Sequence, residues 1–214
     1  MGKIKKGILG GFSGKTGTVV GANWKQIDYM RSLPSHMHNP KTQKQLEQRA
    51  KFKLMMAFLQ PLNGFLNAGF KLQAKKQSPI NAAMQYNVKN GIAGVYPDYT
   101  IDVEKILVAR GSLPNADALT AVAITDGKVK FDWEFEQSMN AAMPNDYAQV
   151  VMLNTTKNAV DYYMGEAMRS EQTLSLIVPS AWIGNTVETY FTFISEDRKQ
   201  VANSVHKGPI VIIA

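Results

Sequence analysis

From residue 128 to 135 the chain alternates strictly. Val129, Phe131, Trp133 and Phe135 are apolar, and Lys128, Lys130, Asp132 and Glu134 between them are charged. Only a strand with one face buried and the other in water satisfies a period of two with this contrast. Asp126-Gly127 just ahead is a hairpin-turn dipeptide. Tyr99, Ile101 and Val103 alternate with Thr100, Asp102 and Glu104, and Ile106, Leu107 and Val108 continue as a short apolar run. Further strands are expected at 147–154, 158–163, 172–178, 187–195 and 200–206, with turn residues at 154–158, Gly165, 179–184 and 195–199. About seven short strands at this spacing is the pattern of a β-sandwich.

The first half reads differently. Gly7, Gly10, Gly11, Gly14, Gly17 and Gly21 crowd the start, among β-formers such as Thr16, Val19, Val20, Trp24, Ile27 and Tyr29. Two extended segments are expected, 16–22 and 24–31, with glycines at turns and close backbone contacts. Such a tract makes a poor core and suits an arm that orders against another surface. Asn39-Pro40 reads as a helix start, with Asn at the cap and Pro where its missing N–H costs nothing. The helix runs to Pro61, with Leu46, Ala50, Leu54 and Phe58 on one face and Met55 and Leu59 beside them. A second helix, interrupted by Gly64 and Gly69, is expected over 62–75. A third spans 79–90 between Ser78-Pro79 and Asn90-Gly91. The expected fold is α+β: a basic β-arm with helices over 1–110, then a β-sandwich over 111–214. The Trp133 strand, the strand Val187-Glu-Thr-Tyr-Phe-Thr-Phe-Ile-Ser and the polar turn into Gln200-Val-Ala-Asn-Ser-Val resemble an immunoglobulin-like or fibronectin type III-like domain, which implies that architecture for the sandwich.

Charge divides the chain in the same way. Residues 1–100 carry 15 Lys and Arg against 3 Asp and Glu, and the rest carry 9 against 14. A basic half joined to an acidic half points to head-to-tail self-association or to nucleic acid. The chain has no cysteine, which removes disulfides, thiolate metal sites and a Cys nucleophile. No apolar run approaches the ~18 residues of a membrane span. The run after Lys3, Lys5 and Lys6 is too short and too glycine-rich for a signal-peptide core. A cytoplasmic or particle-associated protein with no membrane contact is expected.

Chemistry-bearing motifs fail on context. Gly14-Lys15-Thr16 resembles the end of a phosphate-binding loop, but Leu9 stands where its first glycine is needed. Gly11-Phe12-Ser13-Gly14 comes one residue short of a nucleophile elbow. His36 and His38 flank Met37 in a loop with no other ligand nearby in sequence. His206 falls at the end of an expected strand, in a solvated or capping role. Asp132, Glu134 and Glu136 read as a solvated strand face, and Glu196-Asp197 as a turn. No catalytic residue, metal ligand, cofactor or small-molecule substrate is expected, and the protein reads as a non-enzyme.

The stretches Gly7-Ile-Leu-Gly-Gly-Phe-Ser-Gly-Lys-Thr-Gly-Thr-Val-Val-Gly21, Trp24-Lys-Gln-Ile-Asp-Tyr-Met-Arg-Ser-Leu-Pro34 and Asn39-Pro-Lys-Thr-Gln-Lys-Gln-Leu-Glu-Gln-Arg-Ala-Lys-Phe52 resemble a bacterial family of uncharacterised proteins. Its members begin with such a basic segment and end in a sandwich. The Asn-Pro-x-Thr-x-x-Gln helix start is similar to one in proteins associated with phages and mobile elements, which implies a component of a particle or appendage. The expected role is a structural or interaction subunit that self-associates or joins a larger assembly. The arm would dock through Phe12, Lys15, Trp24, Lys25, Tyr29 and Arg31. The terminal Ile210, Val211, Ile212 and Ile213 would add to a sheet edge, the chain's own or a neighbour's. The alternative is nucleic-acid binding by the arm together with Lys41, Lys44, Arg49, Lys51 and Lys53 on the first helix. A third reading places a carbohydrate or protein ligand on sandwich loops such as 139–146.

Overall fold

A computed structural model describes residues 2–4, 7, 10–24, 27–36, 39, 41–75, 77–136, 142–165 and 167–214. Lys5, Lys6, Lys25, Met37, His38, Pro40 and Met139, all singled out above, lie outside the described residues. The chain divides into two compact units, Met1–Thr42 and Gln43–Ala214.

The first unit is an antiparallel meander of β1 (Lys3–Ile4), β2 (Phe12–Thr16), β3 (Val19–Trp24) and β4 (Ile27–Ser32) in that order. The two expected extended segments are thus a four-stranded sheet. Among its described residues only Gly21 is buried. A Cβ there would overlap the Phe12 ring and carbonyl on the neighbouring strand, so this close approach needs glycine.

The second unit begins with α1 (Gln43–Leu59), α2 (Asn63–Gly69) and α3 (Pro79–Asn90). The helix expected from Asn39-Pro40 starts later, at Gln43, because Lys41 sits at φ 36°, outside helical backbone. Its buried residues are Met55 and Leu59; Leu46, Ala50, Leu54 and Phe58 are only half-buried. Helix α3 has its expected bounds. The Ser78 hydroxyl accepts from the Asn81 amide at 3.4 Å, and Pro79 opens the helix. Gly91 ends it without left-handed backbone, at φ −105°. Glycine serves there because a side chain would collide with Ile106.

A hairpin of β5 (Ile92–Val95) and β6 (Asp98–Ile101) leads to the sandwich strands β7 (Asp117–Ile124), β8 (Lys128–Glu134), β9 (Tyr147–Asn154), β10 (Ala159–Tyr163), β11 (Thr173–Ile177), β12 (Thr186–Ile194) and β13 (Val205–Val211). They form two antiparallel sheets, ordered β11-β8-β7 and β10-β9-β12-β13. The alternating stretch at 128–134 behaves as expected: Val129, Phe131 and Trp133 are buried. They meet Val150, Met152, Phe191 and Phe193 of the other sheet in one core. Trp133 lies 5.2 Å from the Phe191 ring and 5.6 Å from that of Phe193, within the range of favourable aromatic pairs. Asp126 and Gly127 take φ 65° and 59° at the turn before β8.

The four-stranded sheet is covered on both faces. Every residue of β9 after Tyr147 and of β12 after Thr186 is buried. Alternate residues enter the sandwich core, while Val151 and Tyr190 join Met55, Leu59, Phe65, Phe70 and Met84 of the helical layer. Each such side chain contributes about 1.5–3 kcal/mol of burial. The segment 106–113 follows the same seam. Ile106, Val108 and Ala109 are buried there rather than forming a strand, and the Ser204 hydroxyl accepts from the Val108 amide at 2.9 Å. The expected boundary at 110/111 therefore falls inside the second unit, because this segment is hydrogen-bonded to residues 201–204.

One ion pair closes the far end of the sandwich. Arg169 and Asp146 are both buried, with Nε 3.1 Å from Oδ2. The guanidinium also donates to the Asn115 and Pro114 carbonyls at 3.0 and 2.7 Å, and its carbon lies 3.7 Å from the Phe193 ring centre. The Arg169 carbonyl accepts from the Trp133 indole at 2.8 Å. Burial lowers the Arg169 pKa, and the Asp146 carboxylate opposes that shift. The pair thus fastens the approaches to β7, β9 and β11.

A fragment of residues 43–214 is expected to melt as one cooperative unit by circular dichroism. A fragment of 111–214 is expected to aggregate or melt without cooperativity, since it bares Val151, Tyr190 and Val201. A shorter fragment as stable as the longer one contradicts the shared core. Arg169→Met strands a buried carboxylate and is expected to cost about 3–5 kcal/mol in urea unfolding. Adding Asp146→Leu should restore much of that loss.

Candidate interaction surface

Register sets the two faces of the four-stranded arm. Lys15 stands opposite Val20 and Val20 opposite Arg31; Ala22 pairs with Tyr29, Trp24 with Ile27, and Lys3 with Ser13. Alternation then puts Lys3, Lys15, Trp24, Ile27, Tyr29 and Arg31 on one face. Phe12, Asn23, Asp28 and Met30 occupy the reverse, where the Asn23 amide donates to the Asp28 carboxylate at 2.7 Å. Four of the expected docking residues, Lys15, Trp24, Tyr29 and Arg31, thus share a surface, and Phe12 does not. Trp24 is 61% exposed, Ile27 63% and Tyr29 45%. Among the described residues this face holds three cations and no carboxylate. Ile27, read from the sequence only as a β-former, was not among the expected docking residues; its pairing with Trp24 brings it to the same face.

Gly14-Lys15-Thr16 lies within β2. Extended backbone there does not form a loop that wraps a phosphate, and no helix follows it.

The basic residues of the first helix scatter. Lys41 precedes α1, and at 100° per residue Lys44 and Lys51 point to one side while Arg49 and Lys53 point to the other. Lys51 sits 4.9 Å over the Tyr99 ring. These residues do not make one stripe.

The terminal apolar run completes the chain's own sheet. Ile210 and Val211 belong to β13 and pair with Val187 and Thr186. Ile210 and Ile212 point into the core, and Val211 and Ile213 are exposed. The backbones of Gly184, Asn185 and Gly127 hold Ile212 and Ile213 in place. The register slips where Gly208 and Pro209 of β13 stand against the single residue Glu188 of β12, a bulge at Pro209. The strand expected at 200–206 begins only at Val205, because 201–204 are engaged with the 106–113 segment.

His206, expected to be solvated or capping, is instead half-buried against Glu188, with Nε2 2.7 Å from Oε2. Its ring lies 5.2 Å from that of Tyr190, whose hydroxyl donates to the Val103 carbonyl at 2.9 Å. Burial pushes the Tyr190 hydroxyl far above the ordinary phenol range, and the Glu188 and Asp102 carboxylates add to the shift. Glu188 and His206 are 18 residues apart, and only the pairing of β12 with β13 reveals the contact. Among the described residues no group of three or more His, Asp or Glu side chains is placed to hold a metal ion. No helix among them is long and apolar enough to cross a membrane.

No curated protein matches this sequence. Among solved structures, the Twitchin kinase region from C. elegans (Fn31-NL-kin-CRD-Ig26) is similar at 9% identity and a TM-score of 0.34. That alignment covers 47% of this chain, which spans 17% of the length of the other. The family of unknown function DUF6266 matches residues 11–208, and the chain belongs to that family.

Proposed function

We propose that this protein is a non-enzymatic interaction subunit whose arm docks on a second copy of the chain. The observation that carries this reading is the exposed face of Ile27, Tyr29 and Trp24, flanked by Lys3, Lys15 and Arg31, on a sheet with almost no buried residue of its own. A small sheet is marginal in water until its apolar face is covered. The acidic carboxy-terminal half supplies the complementary charge, which favours like copies meeting basic region to acidic region. The seven-stranded sandwich within the second unit, three strands over four, is read as an immunoglobulin-like or fibronectin type III-like scaffold that carries the arm. A place in a particle, of phage or mobile-element origin, accords with the resemblance of the Asn39-Pro40 segment.

A second reading rests on the same face. Cations interleaved with aromatic rings on an open sheet suit phosphates and unstacked bases, so the arm would bind single-stranded nucleic acid.

Light scattering on the full chain is expected to give a defined multimer at low salt. It should fall toward the monomer mass at high salt, in residues 43–214 alone, and in Lys15→Glu/Arg31→Glu. A monomer under all conditions contradicts self-docking. In that case, salt-dependent binding of a fluorescent single-stranded oligonucleotide, lost in the same double variant, would establish the second reading.

A further inference from the structure

We propose that the arm of one copy completes the sandwich of another, with β4 adding as an antiparallel strand beside the open edge of β11. The inference rests on the self-docking reading above and names the surface that receives the arm. Both strands stand at the ends of their sheets. All six residues of β4 are exposed. The direction of hydrogen bonding alternates along an antiparallel strand. The Leu33 amide donates to the Thr18 carbonyl at 2.7 Å, so Ile27, Tyr29 and Arg31 bond to β3 while Asp28, Met30 and Ser32 turn their N–H and C=O groups outward. Beside β11, the Gln172 carbonyl accepts from the Trp133 amide at 3.0 Å and the Val178 amide donates to the Gly127 carbonyl at 2.9 Å. Leu174 and Leu176 therefore bond to β8, and Thr173, Ser175 and Ile177 face outward. None of these six outward residues has a backbone partner on that side among the described residues. Each edge is a template for another strand.

The sandwich has a place for that strand. Strand β7 packs beside β13, and Phe131 and Trp133 of β8 meet the Phe191 and Phe193 rings of β12. With three strands laid over four, β11 then lies over β9, and among the described residues β10 has no strand across from it. Ala159, Asp161 and Tyr163 of β10 share the sandwich side with Met152, and all three are only half-buried. Directly opposed residues of antiparallel strands point to the same face. Pairing Asp28, Met30 and Ser32 with Ile177, Ser175 and Thr173 turns Ile27, Tyr29 and Arg31 toward β10. There the two exposed apolar side chains of the arm would be covered. Arg31 would meet Asp161, which has no ion-pair partner among the described residues. Pairing β4 with a second β4 would instead set Lys3, Lys15 and Arg31 of both copies on one face, where like charges repel.

The chain has no cysteine, so an introduced pair meets no competitor. Met30→Cys and Ser175→Cys, prepared as separate full-length chains, mixed and oxidised, should form a mixed disulfide dimer, since opposed residues of a hydrogen-bonded pair stand about 5.5 Å apart, within disulfide reach. Val122→Cys, also exposed but on β7 at the far edge of the same sheet, should join Met30→Cys at least about tenfold less. Equal yields from the two targets, or Met30→Cys joined mainly to itself, overturn the proposal. Light scattering gives a second test. Asp161→Arg should raise the dissociation constant of the multimer about tenfold or more, and adding Arg31→Asp should recover most of that loss. Ser175→Pro removes only an outward N–H, so it should keep the melting temperature and still weaken the multimer. A multimer unchanged in Asp161→Arg and in Ser175→Pro contradicts this placement and leaves self-docking standing. A wild-type chain that stays monomeric contradicts both.

Discussion

The structure depends on one sheet that has no wet face. Strands β9 and β12 run side by side with nearly every residue buried, one side against β8 and β11 and the other against the helices. A sheet covered on both sides cannot alternate apolar with charged residues, so each polar group within it needs a partner. Thr192 donates to the Ala202 carbonyl at 3.0 Å, and Glu188 meets His206. Tyr190 reaches through the helical side to the Val103 carbonyl. Among the described residues, the Gln149 side-chain oxygen and the Asn154 side-chain nitrogen of β9 are buried without a partner. Two-sided burial also explains why helices and sandwich are one unit: removing either layer would leave a large apolar sheet in water.

The arm is built on the opposite principle. Its strands are short, its glycines remove the side chains that would make a core, and its large residues point outward. What the second unit achieves within the chain, covering an apolar sheet, the arm must obtain from a surface that meets its basic, aromatic face. Docking and nucleic-acid stacking are two ways to satisfy that one requirement. The charge division of the sequence favours a partner that is itself acidic.

Much of the architecture was legible because burial on one face leaves a period. The alternation at 128–134 marked β8, and the Ser78-Pro79 and Asn90-Gly91 pairs marked α3 to the residue. Strand β7 was missed: Asp117–Ile124 is rich in alanine, which has weak strand preference, and of its residues only Leu119 is fully buried. Ile106-Leu107-Val108 looked like a strand because buried coil and buried strand share a composition. Register was out of reach as well. Trp24 and Ile27 sharing a face, His206 meeting Glu188, and Arg169 finding Asp146 beyond β9 and β10 all depend on pairings that no local pattern encodes. Gln149 passed unnoticed because a polar residue in a strand ordinarily points to water.

Native-state hydrogen exchange on the full chain tests the central claim most directly. If the doubly covered sheet unites the second unit, amides of β9, β12, α1 and α3 should exchange slowest and through the same global opening, with those of the arm far faster. Helices that open and exchange while β9 and β12 stay protected would show two separate bodies, and the shared core would not hold.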